Sequence, residues 1–97
     1  MELQALVGPK EVLPPNVGAI NIAGLTADSR AVKPGYLFAA LPGVQADGAK
    51  FIPAAVEAGA VAILGGPDVV SDTKVPVIAD RNPRRRLSAL AAQFYGA

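Results

Sequence analysis

The 97-residue sequence contains no histidine and no cysteine. Without histidine, the commonest general base near neutral pH and the commonest metal ligand are both missing. Without cysteine there is no disulfide and no thiolate chemistry, which fits a reducing compartment. Charge is also scarce. Asp, Glu, Lys and Arg make up 18% of the chain and sum to a net +1, which gives no global reason to expect nucleic acid or an acidic membrane surface as a partner. No apolar run is long enough to span a bilayer. The first residues, MELQALVGPKEV, carry Glu2 early and lack a basic start followed by an apolar stretch. No signal peptide is expected, and the chain is read as cytoplasmic. Neither G-x-x-x-x-G-K-[ST] nor G-x-G-x-x-G occurs, so there is no recognisable phosphate loop.

What is present is apolar. Hydrophobic residues make up 52% of the chain, enough for one small domain with a single core and too many for a long disordered tract. Residues 1–7 read as a short helix or a frayed tail. Gly8 to Asn16 holds three of the nine prolines and reads as a loop. Ala19 to Leu25 reads as a strand. Lys33-Pro34-Gly35-Tyr36 and Leu41-Pro42-Gly43-Val44 have the chemistry of type II turns, with proline at the second position and glycine at the third. Between them Tyr36 to Leu41 is apolar or nearly so on both alternating faces, as a central strand covered on both sides requires. Gln45 to Gly48 is a further turn.

Phe51 to Gly59 reads as a short helix, with Pro53 in its first turn and Gly59 at its C-terminal cap. Val61 to Leu64 is a short buried strand ended by Gly65-Gly66-Pro67. Val75 to Ala79 is another strand, and Pro76 places it at an edge or marks its start. Asn82 as N-cap and Pro83 at the first position open a final helix, along which Leu87, Leu90, Ala91 and Phe94 form one apolar stripe. The pattern implies an α/β fold, a small mixed β-sheet of about four or five strands packed with helices. The chain stops at Gly96-Ala97, directly after the helical pattern. Both a natural end and a cut between domains fit there.

Three groups of polar residues are candidates for chemistry. Asp28, Asp47, Asp68, Asp72 and Asp80 all fall in loops or at strand ends, and no spacing pairs two of them on one face. Turn and cap roles are the better reading. Arg81, Arg84, Arg85 and Arg86 hold four of the nine basic residues. Arg85 points away from the apolar stripe, and Arg84 and Arg86 flank it and can lay their stems over it. Cations at a helix N-terminus work against the macrodipole, which hints at contact with a neighbouring domain or an anion, against the plainer reading of a solvated face. Thr26-Ala27-Asp28-Ser29-Arg30 lies where a strand ends and a turn begins. Asp28 and Ser29 can satisfy loop N–H groups. Alternatively Ser29, loop amides and the amide of Gln45 form a small polar pocket for a nucleobase edge or a diphosphate. The residues alone leave these two readings open.

The ordered series Asp28-Ser29-Arg30, Pro34-Gly35, Leu37-Phe38, Gly43, Asp47-Gly48, Phe51-Ile52-Pro53, Ala55 and Gly59-Ala60 resembles the N-terminal domain of the Mur ligases. The nearest type is UDP-N-acetylmuramoyl-tripeptide synthetase (MurE). Asn82-Pro83-Arg84 through Leu87, Ala91, Phe94 and Tyr95 is similar to the helix that leads into that family's central domain. The resemblance covers roughly residues 20–97. It implies an ATP-dependent amide ligase of peptidoglycan synthesis, which adds a diamino acid, meso-diaminopimelate or L-lysine, to UDP-MurNAc-L-Ala-D-Glu. Residues 1–80 would be the UDP-substrate-binding N-terminal domain, and residues 81–97 the helix leading to a central ATP-binding domain outside this sequence.

ATP and Mg2+ would belong to the full-length enzyme, with no cofactor in this fragment and no activity for it alone. The implied partners are UDP-MurNAc-L-Ala-D-Glu and the central and C-terminal domains of the same chain, with neither nucleic acid nor membrane. Carried over by position, the substrate contacts fall on Ala27, Ser29, Val44, Gln45 and Ala46. Ala27 stands where the family often has a larger aliphatic residue, and Val44 where it often has a polar one. Asp28 and Arg30 are read as structural supports, and no residue is assigned to catalysis or metal binding. Asn-Pro-Arg at 82–84 is similar to a string that marks diaminopimelate selectivity in the C-terminal domain of these ligases. Here it opens a helix in the wrong place and carries no such meaning. The corresponding domain of the MurF-type ligase and a ligand-free α/β interaction module are the competing readings.

Overall fold

Tyr36 to Ala40, β2, is apolar on both faces, and the chain builds a layer against each. The computed structural model describes residues 1–41, 48–67 and 74–96. Four strands form one sheet in the order β1 (Gly24–Thr26), β2 (Tyr36–Ala40), β3 (Ala62–Gly65) and β4 (Val77–Ala79), each parallel to its neighbour. Leu37 and Ala39 point to one face, where they pack with Leu3, Leu6, Ile22, Ala62, Leu64, Ile78 and Leu90. Phe38 and Ala40 point to the other, with Val32, Ile52, Ala55, Ala60 and Ile63. The period-2 geometry of a strand thus divides one apolar pentapeptide between two half-cores. Each large side chain fully buried there contributes about 1.5–3 kcal/mol.

The first face is covered by α1 (Leu3–Val7), α2 (Pro15–Gly18) and α4 (Pro83–Tyr95), and the second by α3 (Ile52–Glu57) with two 3₁₀ turns, Ser29–Ala31 and Gly48–Phe51. In α4, Asn82 Oδ1 accepts from the Arg85 amide at 3.1 Å, the N-cap bond that the Asn-Pro pair announces. Leu90 is buried, with Leu87 and Phe94 packed beside it. In α3, Pro53 sits in the first turn and Gly59 takes φ +113° just past the end. The turn at 33–36 also forms. The Tyr36 amide donates to the Lys33 carbonyl at 3.1 Å, and Gly35 has φ +88°, the positive value that the third position of a type II turn needs.

Four expectations need correction. The fold is α/β, but all four described strands run parallel where a mixed sheet was expected. The described antiparallel pairing is a single bridge, Glu2 with Asn21. The strand expected over Ala19–Leu25 gives way to one over Gly24–Thr26, because α2 carries the chain to Gly18, residues 20–22 bond to residues 1–3 ahead of and at the start of α1, and the Ala23 amide donates to the Gly35 carbonyl. The loop expected over Gly8–Asn16 gives up Pro15 and Asn16 to α2. Gly65, expected to end β3, is a paired member of it between Ala40 and Ala79. The segment left open between helix and tail is a helix, held by buried Leu3 and Leu6. Residues 42–44 of the Leu41–Val44 turn, and residues 45–47 of the turn after it, lie outside the described residues.

Two side chains tie down the loop of the N-terminal layer, one locally and one across the sequence. The Gln4 amide donates to the Gly8 and Glu11 carbonyls at 3.0 and 2.8 Å and accepts from the Leu13 amide at 2.8 Å. One side chain thereby satisfies three backbone groups of a loop that proline leaves short of donors. Arg86 on α4 donates to Glu11 Oε1 at 2.7 Å and to Asp80 Oδ2 at 3.2 Å, tying that loop to the end of β4.

Candidate functional site

Because every strand runs the same way, all four carboxyl ends, Thr26, Ala40, Gly65 and Ala79, lie along one edge of the sheet. Ligands of open α/β sheets bind outside that edge. No described side chain that is polar or charged is buried, so the chemistry of this half of the molecule is on its rim.

The segment after β1 is built from its own polar side chains. Thr26 Oγ1 accepts from the Asp28 amide at 3.1 Å. Asp28 Oδ1 accepts from the Arg30 amide at 2.9 Å and from Arg30 Nε at 3.1 Å, and Oδ2 accepts from Nη2 at 3.2 Å. Asp28 is therefore both the cap of the 3₁₀ turn Ser29–Ala31 and one side of a forked ion pair. The Arg30 side-chain bond first, and its backbone bond second, hold the Asp28 carboxyl below the usual carboxylate range. The same Asp28 contacts push the Arg30 guanidinium up. Both partners are largely in water, at 49% and 89% side-chain exposure, so the pair shapes the turn more than it stabilises the fold.

With Asp28 doing the capping, the Ser29 hydroxyl makes no hydrogen bond among the described residues and stands half-buried. Ala27 beside it is exposed. These two sit at the carboxyl end of β1, next to the point where the chain leaves β2 at Leu41. Val44, Gln45 and Ala46, expected to complete the site, lie outside the described residues, as do Asp47, Asp68 and Asp72.

The last strand ends differently. Asp80 Oδ1 accepts from the Asn82 amide at 2.9 Å while its other oxygen takes Arg86. The Asn82 bond leads in holding the Asp80 carboxyl low, against the opposing effect of burial, with Arg86 adding to it. Arg86 is 20% exposed, so burial tends to lower its pKa, but Glu11 and Asp80 outweigh that and raise it. The sequence placed Arg86 in a solvated basic cluster; the structure makes it an internal staple. Its partner Glu11 is 75 positions away, and no local pattern reports that separation. Arg81, Arg84 and Arg85 remain exposed. Among the described residues no three His, Cys, Asp or Glu side chains come together as a metal site, and no helix is long and apolar enough to cross a membrane.

Residues 21–95 match the family model described as "Mur ligase family, catalytic domain". Over 97 residues, 99% of this chain, the sequence is 48% identical to the UDP-N-acetylmuramoyl-L-alanyl-D-glutamate–2,6-diaminopimelate ligase of Brucella melitensis biotype 1, of which that stretch is 20%. It is 50% identical over 99 residues to the ligase of the same name from Bradyrhizobium diazoefficiens, covering 100% of this chain and 20% of that protein. With the one from Streptomyces avermitilis it shares 47% over 79 residues, 78% of this chain and 16% of the relative. The chain spans about a fifth of the length of the curated relatives it matches.

Proposed function

The chain belongs to the Mur ligase family, and on that premise we propose that it is the UDP-substrate-binding N-terminal domain of an ATP-dependent ligase of peptidoglycan synthesis. The reaction joins 2,6-diaminopimelate, the amino acid in the relatives' names, to UDP-MurNAc-L-Ala-D-Glu. Residues 1–80 hold the UDP end of that substrate, and residues 81–97 lead to the central domain. ATP and Mg2+ would bind elsewhere in the longer chain and would there activate the D-glutamate carboxylate for attack by the incoming amine. No residue described here offers them a phosphate loop or a metal cluster, so no step is assigned to them on these residues.

The observation that carries this reading is the unspent Ser29 hydroxyl at the carboxyl end of β1, beside the exit of β2, in a chain about half identical to diaminopimelate ligases. Ser29 donates to or accepts from the nucleotide. Ala27 contributes backbone groups, its small side chain leaving the approach open. Val44, Gln45 and Ala46, on the segment that follows β2, supply the rest, and Asp28 with Arg30 fixes the turn that presents Ser29. Nothing here is a catalytic residue; the domain's work is to orient one end of a long substrate.

The test is calorimetric titration of the full-length protein carrying this segment with UDP-MurNAc-L-Ala-D-Glu. Binding that weakens in Ser29→Ala without a fall in melting temperature supports the reading. Absence of binding by the wild-type protein overturns it and leaves the ligand-free interaction module.

A further inference from the structure

Phe51 is 42% exposed in a chain whose other two phenylalanines are packed, Phe38 at 1% and Phe94 against the core. A single exposed apolar side chain is ordinary on a protein surface. What sets this one apart is where it stands and what holds it there. It closes the 3₁₀ turn Gly48–Phe51 and caps α3, with φ −96° and ψ 0°. The next residue, Ile52, is 5% exposed and locked among Val32, Phe38 and Ala40. The backbone under Phe51 is therefore anchored, while its ring lies outside that cluster and outside the partly buried set around it. The aromatic pair among the described residues is Phe94 with Tyr95, elsewhere on the molecule, so Phe51 presents a ring with no aromatic partner.

Its surroundings have the chemistry of a nucleotide site. The chain rises through β2 to the carboxyl edge and returns through α3, so the start of α3 faces that edge. The 3₁₀ turn Ser29–Ala31 packs against α3 on the same face of the sheet, and Ser29 opens that turn just past the carboxyl end of β1, so the topology sets Ser29 and Phe51 at the same end of that face. Lys50, exposed beside it, has no hydrogen bond or ion pair among the described residues. An anchored flat ring, a free hydroxyl and a free ammonium at one end of the same face suit a base, a ribose or base edge, and a diphosphate respectively.

We propose that Phe51 is a binding residue of the nucleotide site, whose ring stacks on the pyrimidine base, with Lys50 next to it facing the diphosphate. This rests on the reading of the domain as the holder of the UDP end. Stacking on an aromatic ring is worth about 1–3 kcal/mol per base, which sets the size of the effect at about fivefold to a hundredfold in affinity. Stacking does not choose between bases, so selectivity for uracil falls to hydrogen-bonding groups such as Ser29.

The test uses the full-length protein with UDP-MurNAc-L-Ala-D-Glu as the probe and four variants measured in parallel. Phe51→Leu keeps apolar bulk and loses the π face, and it should weaken binding about tenfold or more, nearly as much as Phe51→Ala. Phe51→Tyr should bind as the wild type does. Phe51→Leu and Phe51→Tyr should melt with the wild type, because the ring is outside both core clusters and both variants keep its bulk. Wild-type affinity in Phe51→Leu would overturn the inference, as would a fall in melting temperature that accounts for the loss. Ser29→Ala separates the two claims. If it weakens binding while the Phe51 series does nothing, the inference fails and the functional reading stands. If the wild-type protein does not bind the probe, both fall.

Discussion

The two ends of the parallel sheet are built to different tolerances. At the amino end the chain is jammed. A Cβ on Gly24 would meet the Tyr36 ring at 2.5 Å, one on Gly35 the Ala23 Cβ at 3.0 Å, and one on Gly59 the Pro34 Cα at 2.6 Å. The Gly35 amide donates to the Gly59 carbonyl at 3.0 Å, so turn and helix cap hold each other. At the carboxyl end, among the described residues, a Cβ on Gly66 would meet nothing within 4 Å, the Ser29 hydroxyl has no hydrogen bond, and Phe51 stands 42% exposed. Glycine at the first end is required by the fold itself. The loose end holds groups that the fold does not use, and unused polar and aromatic groups beside a strand terminus are what a ligand can recruit.

The contrast can be broken by substitution. The largest effect belongs to the jammed end. Gly59→Ala places a side chain at φ +113° and 2.6 Å from backbone, and it should cost roughly 3 kcal/mol, read as a drop in the denaturant midpoint. The same change at Gly66 should be nearly silent in that assay. If the two cost the same, the comparison of ends is wrong. Next comes Arg86→Met, which leaves Glu11 and Asp80 without their cation at a half-buried site. A loss of about 1–2 kcal/mol is expected, between the values for surface and buried pairs. Thermal melts of Arg86→Met beside Arg30→Ala sharpen the point, since the exposed Arg30 pair should give no measurable change.

Ser29→Ala, at the loose end, should leave stability unchanged and reduce affinity for the UDP-linked substrate about three- to tenfold, the worth of one net hydrogen bond. Calorimetry on the full-length protein reads it.

The smallest expected effect is on acid stability. Asp80 has its pKa lowered in the folded chain. The unfolded chain therefore takes up a proton at a higher pH than the folded one. The Asp80 contribution is full above the ordinary carboxylate value and is lost as pH falls through the lowered one. Stability should be flat near neutrality and decline in acid, and Asp80→Asn should make that decline shallower. An unchanged slope would show that Asp80 gains nothing from the Asn82 amide and Arg86.

Much of this architecture was legible because it depends on local rules. The Asn82-Pro83 start of α4, the Pro34-Gly35 turn and the Gly59 cap each follow from a backbone preference that one or two residues express. The central place of β2 followed from its two apolar faces. Residues 19–25 satisfy strand propensity with their β-branched and apolar side chains, but the partner over Ile20–Ile22 is the chain start, residues 1–3, through one bridge and not a full neighbouring strand. Parallel direction was also beyond local reach. Three- to five-residue strands have the same composition whichever way they run, and direction comes from the crossovers that join them.

The candidate site divides along the same line. That Asp28, Ser29 and Arg30 form a polar turn after a strand, and that a glycine follows each of Pro34 and Ala58, was determined by the sequence, because each expresses a preference of its own backbone. Two things were decided only by the tertiary structure. Arg86 reaches Glu11 across 75 positions, and the Ser29–Ala31 turn comes to pack against α3. Each depends on which surfaces meet when the two half-cores close on β2, and that is a property of packing between distant segments, which no window of sequence contains.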